Sequence, residues 1–170
     1  MYDIMLRIAG TANDSIVDGP GIRFTIFTQG CPHHCEGCHN PQTHSFDGGT
    51  LVKTENILEQ ILGNPLLDGV TFSGGEPFCQ AEALYHLGYE IKKSGLNIIA
   101  YTGFTFEYLI EHADSSNYYK KLLSVCDYIV DGKFEIDKMN YMLKFKGSSN
   151  QRIIDCKKSL MSNTISEADL

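Results

Sequence analysis

Residues 22–38 decide the fold, and they read IRFTIFTQGCPHHCEGC. The first part, residues 22–28, is a run of apolar, aromatic and β-branched residues that predicts a short buried strand. The second part places Cys31, Cys35 and Cys38 in the spacing C-x3-C-x2-C. A strand that runs directly into a loop of metal-binding residues is typical of α/β proteins, whose ligand sites lie beyond the carboxyl ends of their strands.

The same alternation of strand and helix continues along the chain. Further buried strands are predicted at residues 69–73, 97–102 and 127–131. Helical spacing of apolar residues predicts helices over residues 54–62, 81–93, 105–112 and 118–125. Strands that alternate with helices form βαβ units, so we expect an α/β fold with a largely parallel sheet. A complete eightfold barrel takes at least about 200 residues, so a chain of 170 residues predicts a partial, open β/α barrel.

The length also sets the domain organisation. A chain of 170 residues suffices for one domain, which we expect over residues 1–158. Near its end, residues 141–146 and 151–155 predict a final strand or hairpin around a polar turn. Residues 159–170 are polar and predict a frayed or disordered C-terminal tail.

Charge and hydropathy exclude two classes of partner. The net charge of −7 argues against a broad grip on nucleic acid, because phosphate binding needs clustered Lys and Arg. No apolar run approaches the roughly 20 residues that span a bilayer, so we expect no membrane association. The first residues, MYDIMLRIAG, lack the basic and apolar regions of a secretory signal. A cytoplasmic location is therefore the default expectation.

The cysteines fall into two groups. Three of the six lie within eight residues, which is typical of metal sites in reducing compartments. The others, Cys79, Cys126 and Cys156, are single and are expected to be buried thiols that pack as small apolar groups.

The cysteine loop has two interpretations. Three thiolates bind three irons of a [4Fe-4S] cubane and leave the fourth iron open, and metal centres with an open position are catalytic. The alternative is a structural zinc site of three cysteines and one nearby histidine. The histidines available for it are His33, His34, His39 and His44. Outside that role, His33, His34 and His44 are expected to face solvent.

Polar groups follow the other predicted strands. Glycines 74 and 75 permit close backbone approach, and Glu76 is expected to present a carboxylate to an ammonium group at this rim. Asp131 ends the strand predicted at residues 127–131 and Lys133 lies just beyond it, where its ammonium suits a carboxylate. Thr102 adds a hydroxyl at the end of another strand. Together these groups suit an amino-acid-like zwitterion beside a metal with an open position.

Several of these motifs resemble those of radical S-adenosylmethionine enzymes. The cysteine loop CPHHCEGCHNP (31–41) is similar to their cluster loop, and SGGEP (73–77) to the motif that binds the methionine amino group. Four more segments resemble those of the activating enzymes of anaerobic (class III) ribonucleotide reductase. These are DGPGIRFTIFTQGC (18–31), YTGFTFE (101–107), VDGKF (130–134) and KGSSNQRIID (146–155). Gly37 stands where many superfamily members have an aromatic residue, and glycine there is associated with the reductase-activating group.

The resemblance implies an oxidoreductase with two cofactors, one [4Fe-4S] cluster and S-adenosyl-L-methionine. The cluster would be held by Cys31, Cys35 and Cys38. The residues expected to bind the second cofactor are Asn40, Gly74, Gly75, Glu76, Thr102, Asp131 and Lys133. Reductive cleavage would give a 5′-deoxyadenosyl radical, which removes a hydrogen from a glycine of the reductase large subunit. A flavodoxin-type electron donor fits such a family, and no conventional general base is expected.

Three other functions remain open at this stage. The first is an activase of another glycyl-radical enzyme, such as the formate-lyase type. The second is a small radical enzyme that acts on a metabolite, such as a deazaguanine-forming synthase, although the short chain leaves little extra structure for such a pocket. The third is a zinc-stabilised binding module. Ser149, Asn150, Gln151 and Arg152 are expected to contact the nucleoside or the partner, with a surface ion pair as the alternative for Arg152.

Overall fold

A computed structural model of the chain describes residues 3–170. The strands are β1 (Met5–Ser15), β2 (Arg23–Thr28), β3 (Thr50–Lys53), β4 (Gly69–Gly74), β5 (Asn97–Tyr101), β6 (Tyr128–Asp131) and β7 (Arg152–Asp155). The α-helices are α1 (Thr54–Leu62), α2 (Ala81–Lys93), α3 (Phe106–Glu111), α4 (Tyr119–Val125) and α5 (Cys156–Ser162). Short 3-10 turns at Pro41–Thr43, Pro77–Gln80 and Ile136–Lys138 lie in the loops.

All seven strands belong to one sheet with the order β3-β1-β2-β4-β5-β6-β7. The central strands β2, β4, β5 and β6 are parallel, as the βαβ pattern predicts. Antiparallel strands flank them, with β1 and β3 at one side and β7 at the other. The two edge strands β3 and β7 do not pair with each other, so the sheet stays open. The predicted open α/β fold is confirmed.

The two faces of the sheet carry separate apolar clusters, because successive side chains of a strand point to opposite faces. The larger cluster contains Phe24, Phe72 and Ile98 and packs against the helices. The smaller one is built on Ile99, Val130 and Ile153, on the other face of the same strands. The helices therefore cover one face, and Phe145 with the C-terminal residues Ala168 and Leu170 packs on the other.

The parallel register aligns the strand ends that carry the predicted site. Thr28 at the end of β2 pairs with Gly74 at the end of β4, and Tyr101 at the end of β5 pairs with Val130 of β6. The loops after these four strands therefore open at one edge of the sheet. The cysteine loop (residues 31–38) and the glycine-rich loop (residues 73–77) were predicted to meet at such a common edge.

A buried arginine holds the segment that precedes β2. The Arg23 guanidinium donates to Thr71 Oγ1 at 2.7 Å, to the Val70 carbonyl at 2.9 Å and to the Pro20 carbonyl at 3.0 Å. Burial lowers the pKa of Arg23 to about 10, because none of these acceptors carries a formal charge. The bond to Pro20 ties this segment to Arg23, and Thr71 Oγ1 of β4 donates to the Asp18 carbonyl at 2.9 Å. Val17 and Asp18 of the same segment line the site cavity described below.

The structure differs from the sequence predictions in the antiparallel elements. Strands β1 and β3 were not predicted, because β1 ends in the polar stretch TANDS and β3 has only four residues. The strand predicted at residues 141–146 is absent, and this segment forms turns with one isolated bridge between Met139 and Ser148. The strand predicted at residues 151–155 is confirmed as β7.

The C-terminal residues are also placed differently from the predicted tail. The expected boundary between residues 158 and 159 falls inside α5, where Ser159 is buried. The following segment returns to the sheet, with the Ala168 amide donating to the Ile153 carbonyl at 2.8 Å. Ala168 and Leu170 then pack on the smaller apolar cluster. The expectation of a frayed tail is thus corrected, because these residues cover apolar surface on the open face.

None of the helices in residues 3–170 combines the length and the apolar character that crossing a membrane requires.

Candidate metal and cofactor site

A cavity of about 630 Å³ opens at the carboxyl edge of the parallel strands. Cys31, Cys35 and Cys38 all line it, each as a free thiol. Cys31 is buried and the other two are half-buried. Burial raises the pKa of the Cys31 thiol, since a thiolate loses hydration there. The structure thus brings the three predicted ligands together on one cavity.

Backbone hydrogen bonds give the cysteine loop its shape. The Gly30 amide donates to the Thr43 carbonyl at 2.7 Å, and the Cys31 amide donates to the His44 carbonyl at 3.1 Å. At the other end, the Cys38 amide donates to the Cys35 carbonyl at 3.1 Å. The start of the loop is therefore fixed to the segment that follows it, and Cys35 and Cys38 are joined to each other by a tight turn.

The glycine-rich loop packs directly against the start of the cysteine loop. The Gly75 amide donates to the Thr28 carbonyl and the Glu76 amide to the Gly30 carbonyl, both at 2.8 Å. A Cβ at position 75 would collide with the Gly30 carbonyl and lie 3.0 Å from that of Thr43. Gly74 has a φ of +87°, a backbone conformation that favours glycine. The two glycines therefore allow two backbones to meet beside the cavity.

Glu76 lies behind this contact and has no exposed surface. Its Oε1 accepts from the Gly103 amide at 2.8 Å and from Thr102 Oγ1 at 2.9 Å, and it lies 2.6 Å from His33 Nε2. Its Oε2 accepts from the Phe78 amide at 3.0 Å. The expectation that Glu76 presents its carboxylate at the rim is corrected, because donors of the protein surround both oxygens.

His33 is the residue that sequence reasoning missed. It was expected to face solvent, yet its side chain is only 7% exposed. Its ring meets Phe104 edge-on at a centroid distance of 4.6 Å and occupies the space that a Cβ at Gly103 would need. The only available signal was indirect: a buried acid in a neighbouring loop needs donors, and His33 lies in the loop beside it. His34, the next residue, is exposed.

Asp131, the last residue of β6, and Lys133, just after it, do not line the cavity. Asp131 is buried and accepts from Arg152 Nε at 3.0 Å and from the Phe106 amide at 2.8 Å. Arg152 also pairs with Glu107, and its hydrogen bonds to Asp131 and Glu107 raise the pKa of its guanidinium. The ion-pair alternative for Arg152 is thus the one observed. Lys133 is exposed and outside the cavity lining.

The cavity wall therefore contains some of the predicted cofactor residues and not others. Asn40, Gly74, Gly75 and Thr102 line the cavity, whereas Glu76, Asp131 and Lys133 do not. The remaining wall comes largely from residues that were not predicted, including Tyr101, Phe134, Met139, Tyr141, Phe145 and Gly147. Of the polar residues 149–152, Gln151 lines the cavity, and its Oε1 accepts from the Gly147 amide at 2.8 Å.

The other three cysteines lie outside the cavity lining. Cys126 and Cys156 are buried, as expected, and desolvation raises the pKa of both thiols. Cys79 was also expected to be buried but is exposed. The reason is the 3-10 turn Pro77–Gln80, which buries Pro77 and Phe78 and directs the next side chain outward.

The donor set of the cavity fits an iron–sulfur cluster. Three thiols line the cavity, and thiolates are the usual protein ligands of [4Fe-4S] clusters. Within residues 3–170, no three His, Cys, Asp or Glu side chains lie close enough together to bind one metal ion. A cluster separates its thiolates more widely than a single ion does, because each thiolate binds a different iron.

An open α/β sheet with three cysteines at its carboxyl edge defines the class as an iron–sulfur protein with one cluster loop. In agreement, the family model described as "4Fe-4S single cluster domain" matches residues 17–154. The chain is 32% identical to the anaerobic ribonucleoside-triphosphate reductase-activating protein of Haemophilus influenzae, over 81% of this chain and 90% of the relative. It is 35% identical to the protein of the same name from Vibrio cholerae, with the same coverage. The chain belongs to the family of anaerobic ribonucleoside-triphosphate reductase-activating proteins.

Two further similarities are more partial. The pyruvate formate-lyase-activating enzyme of Clostridium pasteurianum is 38% identical over 65% of this chain, which spans 50% of that protein. Among solved structures, the match to QueE from Escherichia coli covers 59% of this chain and 53% of the QueE chain, with 21% sequence identity and a TM-score of 0.46.

Proposed function

We propose that this chain is a radical S-adenosylmethionine enzyme that generates the glycyl radical of anaerobic ribonucleotide reductase. The observation that carries the proposal is that three cysteine thiols line one cavity, in a chain that resembles reductase-activating proteins over most of its length. The 5′-deoxyadenosyl radical formed from S-adenosylmethionine would remove a hydrogen atom from a glycine of the reductase large subunit. The chain would thus act as an oxidoreductase on a protein substrate.

Cys31, Cys35 and Cys38 would hold the [4Fe-4S] cluster. When bound and reduced, the cluster would supply the one electron needed to cleave a C–S bond of S-adenosylmethionine, which would give methionine and a 5′-deoxyadenosyl radical. The protein's own part is to bind and orient this cofactor. Asn40, Gly74, Gly75 and Thr102 line the cavity beside the thiols and are the residues proposed to contact it.

The three predicted residues outside the cavity lining would act differently. Glu76 and Asp131 are buried and hydrogen-bonded to protein groups, so their part is to fix the loops after β4, β5 and β6. Lys133 is exposed and outside the cavity lining, and its ammonium is proposed to bind the cofactor carboxylate. Its role in binding therefore stays a prediction.

The proposed surroundings follow from the proposed reaction. The partner is the large subunit of the reductase, and the electron comes from a one-electron donor protein of the flavodoxin type. Neither nucleic acid nor a membrane is a proposed partner, and the proposed location is the cytoplasm.

The nearest alternative is an activase of the formate-lyase type. It has support in the similarity to pyruvate formate-lyase-activating enzymes, which includes 31% identity over 91% of this chain to that of Listeria monocytogenes. The chain spans only 63% of that relative, against 90% of the reductase-activating proteins. The resemblance of residues 146–155 (KGSSNQRIID) to the reductase-activating enzymes favours the reductase.

One experiment separates the two partners. The cluster-loaded chain, S-adenosylmethionine and a strong reductant are incubated anaerobically with either the reductase large subunit or formate lyase, and the glycyl radical is measured by electron paramagnetic resonance. We expect the radical on the reductase and at most a trace on formate lyase. The reverse result would contradict the proposal in favour of the alternative. Cys35→Ala, which lacks one thiol of the cavity, is the negative control.

A further inference from the structure

We propose that His33 is a positioning residue that holds the cysteine loop to Glu76 and so sets the geometry of the cluster site. The inference deepens the proposed function, since it concerns how the same site is built. It requires only that Cys31, Cys35 and Cys38 bind the cluster.

His33 lies in the middle of the cysteine loop, between two of the three cysteines. It lies two residues from Cys31 and two from Cys35, so a displacement of its backbone moves both thiols. Cys31 is further fixed by the hydrogen bond from its amide to the His44 carbonyl, whereas the Cys35 carbonyl accepts from the nearby Cys38 amide. A side-chain tie at position 33 therefore acts on the part of the loop between two ligands.

The carboxylate of Glu76, which His33 contacts, is held in place by other protein groups. Glu76 is fully buried, and backbone amides of Phe78 and Gly103 together with the Thr102 hydroxyl hold its carboxylate. These donors come from the loops after β4 and β5. His33 Nε2 at 2.6 Å adds the loop after β2 to the same carboxylate. Glu76 is thus a junction of three loops, and His33 is the contribution of the cysteine loop.

The packing around the His33 ring restricts its rotation. The His33 ring contacts Phe104 edge-on and fills the space next to the Cα of Gly103. It therefore has little room to rotate away from Glu76. By contrast, the adjacent His34 is exposed and contacts the ring of His44 at a centroid distance of 4.8 Å. The two neighbouring histidines have different environments, which makes His34 a matched control.

The size of the expected effect on cluster binding can be judged from other metal sites, where residues that do not bind the metal orient the ligands that do. Loss of a group that orients a ligand typically lowers metal affinity or activity about 10-fold to 100-fold. Removal of His33 would also leave a buried carboxylate with one fewer donor. We therefore expect a cluster that still forms, because the three thiols remain, but that loses iron faster.

The test compares His33→Ala, His33→Gln, His33→Asn and His34→Ala after anaerobic cluster loading. Two properties are measured: the rate of iron release to a chelator, and the electron paramagnetic resonance spectrum of the reduced cluster with and without S-adenosylmethionine. Glutamine can place an amide nitrogen near the position of His Nε2, whereas asparagine is one methylene shorter. Circular dichroism of the metal-free proteins reports whether each variant folds.

We expect His33→Ala and His33→Asn to release iron about 10-fold faster than the unmodified chain, with an altered cluster spectrum. His33→Gln and His34→Ala should stay within about twofold of it. An unchanged rate in His33→Ala would overturn the proposal. Equal loss in His33→Gln and His33→Asn would also overturn it, since ring packing rather than the bond to Glu76 would then hold the loop.

Two features keep the result interpretable. If His33→Ala does not fold, the comparison of the glutamine and asparagine variants decides alone. Iron release and the spectrum without S-adenosylmethionine need no turnover. A chain that cleaves no S-adenosylmethionine would therefore refute the proposed function and leave this test intact.

Discussion

At the residue scale, the site depends on close contacts between backbones. Gly75 lies against the carbonyls of Gly30 and Thr43, and the Glu76 amide bonds to that same Gly30 carbonyl. Neither carbonyl can move far, because each also accepts a backbone hydrogen bond within the site. The size of residue 75 therefore controls the distance between the glycine-rich loop and the cysteine loop.

Gly75→Ala is accordingly expected to lower the free energy of unfolding by about 1–3 kcal/mol, because the new methyl group overpacks a rigid contact. Urea denaturation of the metal-free chain measures this change. Gly10→Ala is the control, since a Cβ at Gly10 meets no atom within 4 Å, and it should change stability by less than about 0.5 kcal/mol. Equal effects of the two substitutions would refute the packing argument.

The ligand assignment gives a second prediction at this scale. Cys35→Ala should lose the cluster, because it removes one of the three thiols on the cavity wall. Cys126→Ala should keep it, because Cys126 is buried away from the cavity. Iron analysis after anaerobic loading distinguishes them, and full iron content in Cys35→Ala would show that the ligand set is wrong.

Site residues whose partners are close along the chain were easier to predict than those whose partners are distant in sequence. Cys31, Cys35 and Cys38 could be grouped because their spacing is local. His33 could not be assigned, because its partner Glu76 is 43 residues away and the bond depends on how two loops meet. The wrong expectation for Glu76 has the same cause: a motif gives the residue type but not which protein donors surround its side chain.

At the scale of elements, an ion network joins the carboxyl end of β6 to β7 and α3. Buried Asp131 accepts from Arg152 of β7 and from the Phe106 amide at the start of α3. Exposed Glu107 of α3 binds the other side of the Arg152 guanidinium. The network fixes the last parallel strand beside the cavity. Its two acids contribute differently because only Asp131 is buried.

Arg152→Ala should therefore destabilise the chain by about 2–3 kcal/mol at neutral pH, because it leaves the buried Asp131 carboxylate without its counter-ion. Glu107→Gln is the matched control. Its side chain is 59% exposed, so its loss should cost no more than about 0.5 kcal/mol. Urea denaturation measures both, and a cost for Glu107→Gln equal to that for Arg152→Ala would contradict the account.

The Glu107 contribution should also depend on pH in one direction. The hydrogen bond from Arg152 lowers the pKa of Glu107 below its ordinary value of 4.5. The folded state therefore favours the charged form, and the contribution is complete above pH 4.5 and lost as the pH falls through the lowered pKa. The stability difference between the unmodified chain and Glu107→Gln should shrink over that acid range. A difference that grows on acidification would contradict the assignment.

The elements were predictable to the extent that their residue pattern was strong. Helices α1 and α2 match the predicted residues 54–62 and 81–93 because their apolar faces repeat at helical spacing. The four central strands were found because both of their faces are buried, which makes them continuous apolar runs. Strand β3 has no buried residue, so nothing in its pattern distinguishes it from a loop.

At the scale of the whole molecule, the open side of the sheet is partly closed by the C-terminus. The Asp155 amide donates to the Ser166 carbonyl at 2.8 Å, and Ile154 forms a bridge with Glu167. Leu170 then contacts the apolar cluster built on Ile99, Val130 and Ile153. Composition alone predicted a tail here, because these few apolar residues are dispersed among polar ones.

Deletion of residues 164–170 should therefore destabilise the chain and expose the smaller apolar cluster. We expect a lower urea midpoint and increased binding of a fluorescent dye specific for apolar surface. The control is Met161→Ser, which changes a C-terminal side chain that is already 77% exposed and should alter neither property. A truncated chain with unchanged stability would restore the interpretation of these residues as a free tail.

We propose that the three thiols hold a cluster that cleaves S-adenosylmethionine, and one anaerobic loading experiment decides between this cluster and a zinc site. The chain is loaded with iron and sulfide, its metal content is measured, and S-adenosylmethionine is added with a strong one-electron reductant. We expect about four irons and four sulfides per chain, followed by equal amounts of 5′-deoxyadenosine and methionine. A colourless protein that binds about one zinc, retains no iron and forms no 5′-deoxyadenosine would contradict the claim and identify a structural zinc site instead.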